Sequence, residues 1–485
     1  MFTEKDHKQF KKLGITIEEV NSQLKYFKEG FPVIKLHKPA TLNYGIKKLS
    51  QTEEKHFVHI FNSSVSNKKI IKFIPASGAA TRMFKPFFNY LEDPNKYELD
   101  NFIKKLNKVA FYDDLKESLY KKSKDIQQLL KSKNYRQIVN EILDETGLNY
   151  KNLPKGLIKF HKYTNGSRTA FEEHIIEAKE YCAGMYNETH LRFTISSEHT
   201  EEFKRVESQV LPEINKNYRS NFSITYSYQT DDTDTIAVDT NNQPFRLEDG
   251  SIHFRPGGHG ALLKNLNSIE GDMIYIKNID NIANEKYLQI NAHYKKILGG
   301  YLIHLKERNS EYLKLLQKKT INKEKLEEII KFLEIDCLIH HPDGLNNYSL
   351  ENLIEYFYSK LNRPVRVCGM VKNEGQPGGG PFWVEHDKKS ISLQIVESAQ
   401  IDNNNKSQID IFQQSTHFNP VDIVCNIQNN NSKNYNLSEF RDNNTGFIAN
   451  KSFQGEEIKA LELPGLWNGS MSDWITVFIE VPIET

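Results

Sequence analysis

The sequence predicts an α/β fold: a mixed, mainly parallel sheet covered by helices, with helical insertions and a β-rich C-terminal part. Three observations predict it. Between 155 and 300, strand-like runs alternate with helical periodicity, as where helix 169–181 precedes strand 191–196. The β-branched and aromatic run Lys69–Ile74 suits a buried strand and leads straight into a turn of small residues. From 363 onward, Val365–Met370, Phe382–Val384 and Ile391–Val396 read as further strands.

The elements follow in order. Thr16 and Glu19 stand at capping-box spacing, Ile17, Val20, Leu24 and Phe27 continue at helical intervals, and Gly30 then Pro32 stop the run. A second amphipathic stretch follows Ser50. The Lys-rich region 91–150 is helical, with Ile126, Leu129 and Leu130, then Ile138, Ile142 and Leu143, on its buried faces. Strand 222–228 precedes strand 273–278, with a glycine-rich loop between them. Residues 301–360 return to helix, where Leu326, Ile329, Ile330 and Leu333 follow i, i+3, i+4, i+7. The Asn-rich stretches 403–405 and 429–431 read as solvated loops, and no internal repeat is visible.

Length alone suggests about three domains. The motifs below instead span one core, 69–300, with a helical insertion at 91–150. It follows an N-terminal helical segment, 1–68. A second helical insertion, 301–360, separates it from 361–485, which completes the core and carries an acceptor-binding region. The chain has 485 residues, 38% hydrophobic, with 64 basic and 63 acidic side chains, so 64 − 63 = +1. That balance gives no electrostatic reason for a nucleic-acid or acidic-membrane partner. The four cysteines (Cys182, Cys337, Cys368, Cys425) form no C-x-x-C pair, which argues against a disulfide scaffold or zinc ribbon. No signal-like apolar stretch opens the chain, and no run approaches the roughly 18 apolar residues of a membrane span. The expectation is a cytoplasmic globular protein.

Four constellations carry chemistry. Ser77-Gly78-Ala79-Ala80-Thr81-Arg82 lies between a strand and a helix, where small residues let backbone N–H groups approach phosphate oxygens and Arg82 can clamp a polyphosphate. It is neither a P-loop nor G-x-G-x-x-G, and a tight turn with a surface arginine fits equally. Lys155, held between Pro154 and Gly156, is a fixed point charge suited to a phosphate or simply an exposed loop lysine. Gly257, Gly258 and Gly260 surround His259, so the backbone can approach a flat base ring; the alternative is a turn with an exposed histidine. No His or Cys stands at ligand spacing from His259, which argues against a metal there. Finally, a strand ends in Asn278-Ile279-Asp280-Asn281, and a carboxylate at a strand's carboxyl end suits Mg2+ bridging phosphates, or the segment is a polar turn.

The order of these segments is similar to that in the UDP-sugar and UDP-N-acetylhexosamine pyrophosphorylases. Their G-x-G-T-R-[LM] loop resembles Ser77–Met83, their Pro-Lys-Gly resembles Pro154–Gly156, and a strand ending in Thr-Ser before Glu-x-Thr resembles Thr194–Thr200. Gln229 matches a Gln after the next strand, Pro256–Gly260 looks like the base-recognition loop, and Asn278–Asn281 like the metal-binding Asn-x-Asp-Asn. Gln394–Ala399 and Ser415–Asn419 are similar to their Val-Glu-Tyr-Ser and Asn-x-His-x-Phe. The match covers roughly 71–300 and 363–430. Over the whole chain the sequence resembles a bacterial family described as a domain of unknown function, whose Pro-Ala-Ser-Gly-Ala-Ala-Thr-Arg-Met and Phe-Arg-Pro-Gly-Gly-His-Gly-Ala-Leu segments stand here nearly verbatim.

The resemblance implies a nucleotidyltransferase (GT-A/Rossmann-like) sheet and a Mg2+-dependent transfer of a nucleotidyl group from an NTP, with UTP favoured, to a sugar 1-phosphate. Arg82 and Lys155 would be catalytic. Ser77, Gly78, Ala79, Ala80 and Thr81 would hold the triphosphate, and Gln229, Gly257, Gly258, His259, Gly260 and Asn278 the rest of the nucleotide. Asp280 would bind Mg2+ with Asp402 as a second ligand, and Glu397, His417 and Asn419 would face the acceptor. A GT-A glycosyltransferase and a nucleotide-binding protein without turnover are the alternatives. Three features depart from the pattern. Ala79 and Ala80 replace glycines, and 155 − 82 = 73 positions separate Arg82 from Lys155, enough for a lid or a surface decoration. The family's C-terminal Phe-x-Pro-x-Lys has no match in the sequence, so that either the chain is truncated, or another lysine such as Lys451 substitutes, or activity is weak. Glu374–Trp383 reads as a cover over the acceptor or a hairpin, and Pro464–Trp474 as a sugar-stacking segment or packed core. The sequence carries no signal for an oligomeric state.

Overall fold

The computed structural model describes residues 2–78, 80–94, 99–318, 321–341, 344–376, 378–386 and 390–485, and not the side chains of Thr81, Arg82 and Asn346. The fold is α/β, with a mixed, mostly parallel sheet and a strand-rich C-terminal part. It divides into two compact units, one of Met1–Ile71, Gln229–Ile276 and His293–Thr485, the other of Lys72–Tyr228 and Lys277–Ala292.

In the larger unit the strands run in the order Thr41–Leu42, Gly45–Lys47, Ile475–Glu480, Val365–Lys372, Ile423–Asn426, Met273–Ile276. Val365–Lys372 pairs parallel with Ile475–Glu480, in register Val365 to Ile475, and antiparallel with Ile423–Asn426. Nearly every residue of these strands is buried, as the continuous apolar runs require of strands covered on both faces. A separate antiparallel sheet joins Phe254–Pro256, Asp234–Val238, Glu456–Glu462 and Phe447–Phe453. Helices Glu4–Leu13 and Ile17–Glu29 cover it, burying Phe10, Val20 and Phe27 against Ile236, Val238 and Leu461. These short strands were not legible in the sequence: Asp234–Val238 finds its partner Glu456–Glu462 more than 200 positions away.

The smaller unit carries Lys72–Pro75 of the strand Ile70–Pro75, then the parallel strands Glu188–Thr194 and Asn221–Ser227. The sequence placed the second of these at 191–196; the ladder starts at Glu188 and ends at Thr194, after which the chain turns. Strand 273–278 likewise ends at Ile276. Helices Thr81–Glu92, Tyr112–Lys121, Ile126–Lys131 and Tyr135–Leu143 enclose Phe84, Phe87, Leu115, Leu119, Ile138 and Ile142. The long insertion is therefore a helical body with its own core.

Local signals set most helix starts. Thr3 with Asp6, Thr16 with Glu19, Ser50 with Glu53 and Thr169 with Glu172 all form the reciprocal capping box. Among the described residues no helix is long and apolar enough to cross a membrane.

Candidate functional site

The strand Ile70–Pro75 is buried along its length and delivers Ala76, Ser77 and Gly78 to its carboxyl end. There Ala76 N–H donates to Thr194 C=O at 2.8 Å. The helix that follows, Thr81–Glu92, starts without a side-chain cap. Its N-cap is Ala80, no side chain accepts from the first N–H groups, and its first turn holds no acidic residue. Met83 N–H turns back to Ala80 C=O, and the positive end of the helix dipole faces the loop. Ala79 and the side chains of Thr81 and Arg82 lie outside the described residues.

Lys155 comes to this loop through backbone and side chain alike. Its N–H donates to Gly78 C=O at 3.1 Å, and its ammonium pairs with the Asp280 carboxylate at 2.5 Å, across 125 positions of sequence. Gly156 is needed there for space, since a Cβ would approach the Phe203 ring to 2.9 Å. The Asn278–Asn281 turn is anchored where Ile279 N–H donates to Pro75 C=O at 3.3 Å, and it is closed by Asn281 N–H to Asn278 C=O at 3.1 Å. The 76–78 segment, the lysine turn and the carboxylate turn thus meet at one strand end.

Beneath them lies a group that the sequence did not reveal. Glu177, on helix Ala170–Cys182, accepts from two buried lysines, Lys72 at 2.9 Å and Lys277 at 2.8 Å, and from Tyr181 at 2.6 Å. Lys72 also donates to His174 C=O, and His174 Nε2–H donates to Ile279 C=O at 3.1 Å. Burial, with Lys72 nearby, keeps the His174 imidazole neutral, its pKa well below the ordinary value. Burial also brings the Lys72 ammonium down to about 8, against the pull of Glu177. The network ties the strand entering the phosphate loop to the turn that carries Asp280. A signal existed: Lys72 interrupts an apolar run and Lys277 directly follows one, positions where a covered strand leaves no route to solvent.

The remaining expected residues belong to the larger unit. His259 Nδ1 accepts from Leu466 N–H at 3.1 Å, and its ring stacks on Trp467 at 4.3 Å. The glycines around it are explained by the chain itself. A Cβ at Gly257 would lie 2.6 Å from Thr233 C=O, at Gly258 2.8 Å from Glu462, and at Gly260 2.4 Å from Pro464 C=O. On the side where a Cβ would stand, these glycines are approached by Thr233 and by segment 462–464. Gln229 is half-buried. Glu397 accepts from Asn468 at 3.1 Å. His417 is buried, bonded to Thr416 and 3.5 Å from Glu480. Asn419 is buried with both ends of its amide engaged, on Gly369 C=O and Val421 N–H. Asp402 accepts from Asn404 N–H in a local turn. Trp474 is buried, so Pro464–Trp474 contributes packing.

Gly78 contrasts with Gly260. A Cβ on Gly78 would meet nothing within 4 Å, so the space above it is open. Gly78→Ala is expected to leave thermal stability unchanged while weakening nucleotide binding. Gly260→Ala is expected to cost about 1–3 kcal/mol by forcing backbone apart. Paired melting curves, with and without nucleotide, check both.

No group of three or more His, Cys, Asp or Glu is preassembled for a metal among the described residues. The Asp280 carboxylate nevertheless suits Mg2+, a hard cation commonly held by one or two carboxylates together with substrate phosphates.

A search of curated protein sequences finds no match. Among solved structures, the Trypanosoma brucei UDP-N-acetylglucosamine pyrophosphorylase in complex with inhibitor is similar at 11% identity, covering 96% of this chain and 69% of that one, with a TM-score of 0.46. Two variants of the Leishmania major UDP-glucose pyrophosphorylase follow. One has 10% identity, 100% and 78% coverage and a TM-score of 0.43; the other, in complex with UDP-glucose, has 11%, 98% and 74%, and 0.42. A family model described as a domain of unknown function, DUF4301, matches residues 3–485, and the chain belongs to that family.

Proposed function

We propose that this DUF4301 member is a nucleotidyltransferase that moves a nucleotidyl group, uridylyl by preference, from an NTP to a sugar 1-phosphate and releases pyrophosphate. One observation carries the reading: Lys155 is joined by its backbone to the Gly78 loop and by its ammonium to Asp280. Three segments that the motif order ranks as phosphate loop, phosphate lysine and metal turn therefore converge, with an uncapped helix start beside them.

The acceptor's phosphate oxygen is already ionised, so it attacks the α-phosphorus without a general base. The bond from that phosphorus to the bridging oxygen of the β-phosphate breaks, and pyrophosphate leaves with its electron pair. Such a reaction asks for positioning and charge neutralisation. The 77–80 backbone and the N–H groups opening Thr81–Glu92 hold the triphosphate, and Lys155 offsets charge developing at the α-phosphate. A bound Mg2+ would neutralise phosphate oxygens, with Asp280 as the residue to hold it. The Lys155–Asp280 pair partners both charges; in the proposed reaction Lys155 turns to the phosphate and Asp280 to the cation.

Thermal shift with the four NTPs and Mg2+ is the first test, and UTP is expected to raise the melting temperature most. Exchange of labelled pyrophosphate into NTP, driven by a nucleotide-sugar, is the second. A UTP shift with no exchange across a broad panel of sugars leaves a nucleotide-binding protein and sinks the transferase. Nucleotide-sugar hydrolysis or transfer without exchange points to a glycosyltransferase instead.

A further inference from the structure

A second cleft lies within the larger unit, at the end of helix Leu350–Leu361, and has a volume of about 540 Å3. That is the size of a small-molecule site. Among the described residues its charged groups do not balance: Lys360 and Arg363 line it against a single carboxylate, Asp473, beside His340 and His386, whose imidazole pKa values burial lowers. Lys360 makes no hydrogen bond or ion pair among the described residues and lies 5.5 Å from the Tyr356 ring centre. Arg363 donates from Nε to Ser359 C=O at 2.7 Å, and its Nη1 is 3.7 Å from the Asp473 carboxylate. Its Nη2 makes no hydrogen bond among the described residues.

Cations are at home here without a ligand because the helix C-terminus presents unpaired carbonyls and negative partial charge. That requirement is met without Lys360: Ser359 C=O accepts from Arg363 Nε, Tyr358 C=O from Asn362 N–H, and Leu361 C=O from Asn309 and from Arg363 N–H. Lys360 is surplus to it. Burial lowers the pKa of the Lys360 ammonium and the Arg363 guanidinium, and Asp473 only partly opposes this. Two desolvated cations beside an open space want an anion more than one exposed carboxylate can supply. Tyr348, Tyr356 and Trp474 add ring surfaces to the walls, so the space is shaped for more than a bare oxyanion.

We propose that this cleft is a binding site for a phosphate monoester of sugar-phosphate size, with Lys360 and Arg363 on the phosphate and the aromatic wall against the carbon skeleton. The proposal does not depend on the transfer chemistry. Glucose 6-phosphate is the probe, because its phosphate is not at the anomeric position required of the acceptor.

Calorimetric titration of the full chain with glucose 6-phosphate, inorganic phosphate and glucose tests it. Glucose 6-phosphate is expected to bind more tightly than inorganic phosphate, and glucose not at all. Lys360→Met removes a charge that makes no protein bond, so folding is retained. It is expected to weaken glucose 6-phosphate about tenfold or more, the worth of one charged hydrogen bond, while the UTP-induced thermal shift is unchanged. Equal affinity in Lys360→Met, or no binding of glucose 6-phosphate, overturns the proposal. Inorganic phosphate binding as tightly as glucose 6-phosphate overturns the assignment of a monoester. Loss of the UTP shift alone speaks to the transfer reaction and leaves the cleft's own titration to decide this one.

Discussion

Glu177→Gln is expected to cost about 3–5 kcal/mol of folding stability at neutral pH, because it removes the one carboxylate among the described residues that two buried ammonium groups share. Lys72, Lys277 and Glu177 are all at most a few per cent exposed, so neither lysine can reach water to compensate. The sign of the pH dependence is distinctive. Unfolded, Lys72 holds its proton up to about 10.5; folded, only to about 8. Between those values the unfolded chain binds more protons, so stability rises with pH across that window. Without Glu177 the folded value falls further, which deepens the deficit at neutral pH and lets alkaline conditions recover part of it. Urea unfolding of both proteins at neutral pH and near the top of the window checks this. A variant as stable as wild type, or one whose deficit grows with pH, would show that Glu177 is not the counter-charge.

Lys155→Ala is expected to lower kcat for pyrophosphate exchange by about 100- to 1000-fold, the usual loss when one preorganised group facing developing charge is removed. Stability should barely change. The Lys155–Asp280 pair is partly exposed, and such pairs contribute about 0–1 kcal/mol. Asp280→Ala is expected to remove Mg2+-dependent turnover with the same small effect on melting. The double variant should be no worse than the poorer single one if both residues serve one transition state. Wild-type exchange in either single variant would remove that residue from the mechanism. Collapse of the melting temperature would instead give the pair a structural role.

Much of this site was legible from local chemistry. The run Lys69–Ile74, the small residues after it and the helix beginning at Thr81 are decided within a dozen positions, and the structure holds them as a strand, loop and helix. The capping boxes at Thr16 and Ser50 are equally short-range. The glycines at 257–260 were legible as a demand for space but not for what fills it, because segment 462–464 lies some 200 positions further on. The strand Asp234–Val238 escaped for the same reason, since its partner Glu456–Glu462 lies more than 200 positions on, and Phe254–Pro256, which pairs with it, is only three residues long.

The sequence by itself determined the alternation of elements, the order of the phosphate-handling motifs and the identities of Lys155 and Asp280 as residues of interest. All follow from periodicity, caps and turn chemistry, interactions that close over a few residues. Tertiary structure alone decided that Lys155 meets Asp280 and that Lys72 and Lys277 are buried on Glu177. It also decided that Lys360 and Arg363 share a cleft with one carboxylate among the described residues. A charged side chain carries the same letter in water and in a core. Its role is set by desolvation and by which distant strand or helix brings the counter-charge, and only the packed chain fixes both.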